Sequence, residues 1–240
     1  MVNERGTLPP GYTPHVGATR QYMRDIILGV NDGLVSTFLL VSGVVGGGLT
    51  ATQVLLTGVS GALAGMISMA IGEYLATKSQ DEVFQAELEL EREHLIHHRE
   101  HERNQLADML ADMGIEGKDL ETVVDIIDKN DTAMLNMHGA LEFGIVDSER
   151  RSPITAAVAS GLLFLLGALP SILPFAFVDS PQTGLVAAAV LSGIGLFVVG
   201  AIKTATTKKN PALSGAENLA LGFIGGILAY VVGTAFEAAI

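Results

Sequence analysis

The chain has no cysteine among its 240 residues. That excludes disulfides and thiolate metal sites. No HExxH, GxSxG or P-loop pattern is present, so nothing points to a metalloprotease, a serine hydrolase or a nucleotide-driven machine, and the chain is not expected to be an enzyme. The first 25 residues are polar, carry Pro9, Pro10 and Pro14, and have no apolar h-region. No signal peptide is therefore expected, and the first apolar segment serves as its own insertion signal.

Apolar residues are what the chain has in excess. They make up 49% of it, and the mean hydropathy is +0.43, values rare for a soluble domain of this length. They gather in five blocks of bilayer-spanning length, at Ile26–Val45, Val54–Thr77, Ile154–Val178, Gly184–Thr204 and Leu219–Ile240. The expected fold is all-α: a polytopic membrane protein of five transmembrane helices, with a helical cytoplasmic domain inserted between helices 2 and 3. The expected organisation is 1–77 for the N-terminal tail and first two spans, 78–151 for the inserted domain, and 152–240 for the last three spans.

Basic residues are missing from one side altogether. Five spans place the amino terminus, 78–151 and the 204–216 loop together. Three Lys and Arg precede the first span, eight lie in 78–151, and Lys203, Lys208 and Lys209 complete the total of 14. The 46–53 loop, the 179–183 loop and the carboxyl end have none. The side rich in Lys and Arg is the cytoplasmic one. The inserted domain nevertheless holds 19 of the 26 acidic residues and five of the six histidines. Such a domain attracts cations and repels nucleic acid. A solvated, charged helical surface is the competing explanation for its charge.

Glycine and proline are absent from Glu73 to Met113, so these 41 residues can form one helix, roughly 60 Å long. The second span then continues past the membrane without a break. Gly114 and Gly117 bracket a turn; Asp119 can cap a short helix through Ile127, and Asp131 or Thr132 another through about Ile145. Ser152-Pro153 starts the third span. On the long helix Glu87, Glu91, His94, His98, Glu102 and Gln105 recur in steps of three and four, which keeps them on one face. Carboxylates and imidazoles on one face suit a borderline divalent cation. Ion pairs such as Glu89–Arg92 and Arg99–Glu102 compete with that reading, but they do not require four histidines within eight residues.

Inside the apolar blocks, "LGVNDGLVSTF" places Asp32 in the first span, and "MISMAIGEY" places Met66, Met69 and Glu73 on one face of the second. An intramembrane carboxylate costs roughly 2.5–3.5 kcal/mol to insert, which marks it as functional. Asp32 lies about 9 Å from the cytoplasmic end of its span, Glu73 about 6 Å and Met69 about 12 Å from the end of theirs. Two carboxylates bind hard cations, and a thioether adds preference for softer transition metals. For Met69 the alternative is ordinary packing, and for Asp32 a structural hydrogen bond or ion pair. Gly43, Gly46, Gly47, Gly48, Gly61 and Gly65 allow close helix approach.

"RDIILGVNDGLVSTFLLVSGV", "GMISMAIGEYLATKSQ" and "GAIKTATTKKNPALSGAENLALGFIGGILAYVVG" resemble the vacuolar iron transporter family, over about Tyr22 to Gly233. The resemblance implies a homodimer that exports Fe²⁺, often also Mn²⁺, from the cytoplasm in exchange for protons. It implies that Asp32 and Met69 line the pathway with Glu73 nearby. It also implies a metal-binding 78–151 domain, with Glu91, Glu102 and Glu142 at acidic-ligand positions; "ALEFGI" at 140–145 resembles the family's Glu-Leu-Gly-Leu segment. The chain departs from the family where His94 and Gln105 stand for a second Glu of each pair, and where His138 and Gly139 stand for paired Met residues, with Met134 and Met137 close by. The full expected metal set is Asp32, Met69, Glu73, Glu87, Glu91, His94, His98, Glu102, His138 and Glu142. Fe²⁺ or Mn²⁺ is transported cargo, and no prosthetic group is expected. The alternative is a membrane-anchored metal-storage or metal-sensing protein. With no sorting extension in the short tail, a prokaryotic cell membrane is expected, with a vacuolar membrane as the alternative.

Overall fold

A computed structural model describes residues 19–144, 151–205 and 210–239. The elements are all helical: α1 (Thr19–Gly46), α2 (Ala51–His97), α3 (Arg99–Asp112), α4 (Gly117–Asp128), α5 (Asp131–Leu141), α6 (Pro153–Ile172), α7 (Pro181–Ile202) and α8 (Pro211–Glu237). Short 3₁₀ turns follow α6 and α7. Five helices, α1, α2, α6, α7 and α8, are long and apolar enough to cross a membrane. The fold is thus all-α with five spans. The last helix starts eight residues before the expected Leu219, because Asn210 caps it and Pro211 opens it.

The chain divides into two compact units, Met1–Ile67 with Ser160–Ile240, and Ser68–Ala159. In the first, small residues let helix backbones touch. A Cβ on Gly33 would fall on the Phe164 carbonyl of α6, and one on Gly167 would fall on the Val30 carbonyl of α1. A Cβ on Gly46 would meet the Tyr230 carbonyl of α8 in the same way. Gly48 differs: with φ at +79° it turns the chain after α1. Phe38, Val41, Val45, Val54 and Phe175 form the apolar core.

The second unit is a small helical layer. Leu95, Leu106, Leu110, Val124, Ile127 and Met134 bury together from α2, α3, α4 and α5. The expected uninterrupted helix from Glu73 to Met113 breaks at His98, where φ is −134° and ψ is 28°. Neither glycine nor proline is needed for this break. A straight helix would carry Leu106 and Leu110 beyond α4 and α5, so folding back is what buries them. The caps also differ from expectation. Glu116 precedes α4, and Asn130 caps α5 by accepting from the Ala133 amide at 3.1 Å. Helix α5 ends at Leu141; Ile145 lies outside the described residues.

Candidate metal centre

The break at His98 determines which side chains meet. Glu91 and His94 are one turn apart on α2, Glu102 sits in the first turn of α3, and His138 and Glu142 lie at or just past the end of α5. In a straight helix, Glu102 would stand about 12 Å beyond His94 along the axis. Folded back, Glu102 Oε1 is 3.4 Å from His94 Nδ1. His138 Nδ1 lies 3.4 Å from Glu91 Oε1, 3.8 Å from Glu102 Oε2 and 3.6 Å from Glu142 Oε2. Two three-residue sets result, Glu91–His94–Glu102 and Glu91–His138–Glu142, and they share Glu91.

The electrostatics are unusual. His138 is fully buried, and the Glu91 and Glu102 side chains are each 3% exposed. Glu91 Oε1, Glu102 Oε2 and both His138 nitrogens have no hydrogen-bond partner among the described residues. Buried polar atoms are normally paired, and leaving one unpaired costs roughly 1–3 kcal/mol. The apolar run of α2 ends near Thr77, so Glu91 stands well outside the membrane-spanning part. Burial pushes its carboxyl above the ordinary value, Glu102 and Glu142 push the same way, and His138 and His94 pull against them. Three carboxylates and two imidazoles, buried at Glu91, Glu102 and His138 and open at His94 and Glu142, are groups that could hold a divalent transition metal.

An arginine clamp holds this geometry. Arg99 Nε donates to Asp128 Oδ1 at 2.9 Å, and its Nη1 donates to Asp131 Oδ1 at 2.6 Å; Arg103 pairs with Asp125. The bond to Asp131 ties α3, which carries Glu102, to the start of α5, which carries His138, and the bonds to Asp128 and Asp125 tie α3 to α4. The two aspartates hold the Arg99 guanidinium above its ordinary value.

Two expected ligands stand apart from these sets. Glu87 is half-buried one turn before Glu91, and His98 is exposed at the break, its ring 6.2 Å from that of His94. Met134 is a core residue.

In the first unit, "NDG" uses three sides of α1, since successive residues point about 100° apart. Asn31 Oδ1 accepts from Asn218 Nδ2 of α8 at 2.7 Å, and the same nitrogen donates to the Leu196 carbonyl of α7 at 2.8 Å. Gly33 receives α6. Asp32 lies on an exposed side between them. In the second unit, Met69 and Glu73 are half-buried on α2. Glu73 Oε1 accepts from Thr77 Oγ1 at 3.4 Å and lies 4.0 Å from Arg151 Nη1.

Residues 23–234 match the model of the VIT family. The chain belongs to the VIT family. Relatives in this family include vacuolar iron transporter 1 of Tulipa gesneriana, 30% identical over 93% of this chain and 90% of that protein. Vacuolar iron transporter 1 of Arabidopsis thaliana is 30% identical over 95% and 91%. A vacuolar iron transporter of Toxoplasma gondii is 27% identical over 93% and 77%.

Within this VIT-family chain, the sequence alone does not reveal the contacts of four residues. Asn218 and Gly167 are long-range partners that no local pattern announces. Arg99 reads locally as an i,i+3 partner of Glu102 and pairs across the fold instead. Arg151 reads as the last charge of a polar stretch, and it lies beside Glu73.

Proposed function

We propose that this protein moves divalent iron, and also manganese, out of the cytoplasm through its five-helix membrane part, in exchange for protons. Family membership carries the reading, since the relatives over nearly the whole chain are named vacuolar iron transporters. The buried Glu91–Glu102–His138 cluster supports it, because an acidic site of that kind suits capture of a dication rather than of an organic substrate. The 78–151 region faces the cytoplasm, a placement that the one-sided distribution of the 14 basic residues supports. It gathers the ion and raises its concentration at the entrance. Asp32, Met69 and Glu73 then pass it across. Protonation of Asp32 or Glu73 from the far side weakens the site and releases the ion, because one carboxylate binds either a proton or a metal. The working unit is a homodimer, and the protein acts as a transporter, not an enzyme.

The names of the relatives favour a vacuolar membrane over the prokaryotic cell membrane expected from the short tail.

The test is metal uptake into sealed proteoliposomes, with Fe²⁺ or Mn²⁺ outside and a pH-sensitive dye inside. Metal uptake with opposite proton movement is expected. Metal flux without proton movement overturns the antiport. Binding without any flux replaces transport by membrane-anchored storage or sensing.

A further inference from the structure

The chain holds two kinds of arginine–carboxylate pair, and the contrast between them is informative. Arg99 grips Asp128 and Asp131 at 2.9 and 2.6 Å, direct charge-assisted hydrogen bonds, which run at about 2.7–2.9 Å or slightly less. Its job is to hold helices together. Arg151 sits 4.0 Å from Glu73, near enough for attraction and too far for that grip. Yet Arg151 is the better sheltered arginine, 22% exposed against 40% for Arg99, while the carboxylates Glu73 and Asp128 are alike at 27% and 26%. Screening by water is correspondingly weaker there. A guanidinium does not lose its proton in a protein, so Arg151 is a permanent positive charge.

That charge stands 4.0 Å from the carboxylate a dication would approach. It also repels such an ion at short range. Position adds a reason for it to stay near. Arg151 stands two residues before Pro153, which opens α6, so the backbone that carries it is tethered to the first turn of that helix. Glu73 is on α2, a turn before Thr77, whose hydroxyl donates to the same Oε1 atom.

We propose that Arg151 is the resident counter-cation of Glu73. It holds the cation position at that carboxylate until a divalent ion displaces it, and so sets how much metal is needed to load the pathway. The proposal rests on reading Glu73 as a pathway carboxylate. Its physical consequence is a trade. Removing the arginine lets metal bind more readily, and it also removes the charge that re-occupies Glu73 and drives the ion onward.

The experiment uses full-length protein in proteoliposomes with Mn²⁺ as the probe. Arg151→Met keeps the packing stem and removes the charge; Arg151→Gln is the second such variant, and Arg151→Lys keeps the charge. In Arg151→Met the half-saturating Mn²⁺ concentration should fall about fivefold or more, the change that one charge at 4 Å produces even in water. Its maximal flux should fall too. Arg151→Lys should stay near wild type. In a Glu73→Gln background the Arg151→Met change should have no further effect on half-saturation. An unchanged or raised half-saturation in both Arg151→Met and Arg151→Gln overturns the proposal, as does an equal fall in the Glu73→Gln background. Glu73→Gln alone tests the underlying reading: wild-type flux there removes Glu73 from the pathway, and the role of Arg151 with it.

Discussion

Nδ1 of His138 lies 3.4 Å from Oε1 of Glu91, and neither atom has a hydrogen-bond partner among the described residues. The separation is long for a direct hydrogen bond, whose N–H···O distance runs about 2.7–3.2 Å. It is what two ligands show around one ion: with metal–donor bonds near 2.1 Å at a tetrahedral angle, the donors stand roughly 3.4 Å apart. Packing alone gives no reason to bury a carboxylate and an imidazole at this spacing, since an apolar pair would avoid the desolvation.

Glu91 belongs to both three-residue sets, so its loss should damage both. Glu91→Gln should weaken Mn²⁺ binding to the full-length protein about tenfold or more, the scale of effects known around metal sites. Glu87→Gln, one turn away and outside both sets, should change it much less. Calorimetry on the detergent-solubilised protein measures both. Equal losses in the two variants would mean that the domain attracts metal by bulk charge and not by a built centre.

The same residue sets a pH dependence. Burial, first of all, holds the Glu91 carboxyl above 4.5. The folded state therefore binds this proton more tightly than the unfolded chain does, and metal-free stability falls as pH rises through the folded value. Ionised Glu91 costs stability above that value, and the cost disappears as pH drops to 4.5 and below. Bound metal favours the ionised form and reverses the sign. The stabilisation given by Mn²⁺ should thus be largest near neutral pH and shrink on acidification. Thermal unfolding with and without Mn²⁺ at about pH 7 and about pH 5 reads it. A metal-induced shift that is the same at both values would contradict this.

The five spans were legible because apolar blocks of bilayer length and one-sided basic residues are properties of composition. Glu91, Glu102 and His138 were legible as residue types. Their meeting was not, because helical periodicity assumes a straight helix, and the break at His98 comes from burial of Leu106 and Leu110 against α4 and α5. Periodicity therefore included Glu87 and His98 on the same footing as Glu91. In the membrane part, Asp32 stood out as a charge in an apolar run. The Asn31–Asn218 bond joins residues 187 apart, and nothing local records such a pairing.

Asp32 and Gly33 are neighbours with different tasks, and substitution should separate them. Asp32→Asn keeps shape and removes the charge on the exposed side of α1. It should abolish Fe²⁺ flux into proteoliposomes while leaving expression and thermal stability near wild type. Gly33→Val places a side chain on the Phe164 carbonyl. It should destabilise the protein by roughly 1–3 kcal/mol, as overpacking does. Wild-type flux in Asp32→Asn would remove this carboxylate from the pathway, and unaltered stability in Gly33→Val would contradict the close α1–α6 crossing.

His94 and His98 give the sharpest comparison, because they are identical in type and one turn apart. A straight helix makes them equivalent members of one metal-binding face. The break makes them different. His94 Nδ1 lies 3.4 Å from Glu102 and 3.9 Å from Glu91, whereas His98 is exposed and its backbone forms the turn. Imidazole nitrogen favours softer transition metals over Mg²⁺. His94→Ala should therefore weaken Zn²⁺ and Fe²⁺ binding more than Mn²⁺ binding, and should raise the half-saturating metal concentration more than it lowers maximal flux, because in the proposed route the centre feeds the pathway without being part of it. His98→Ala should leave both quantities near wild type. The two single variants, measured by calorimetry and by flux, decide between the geometries. Equal losses would restore the continuous helical face, and no loss in either would leave both histidines as solvated surface.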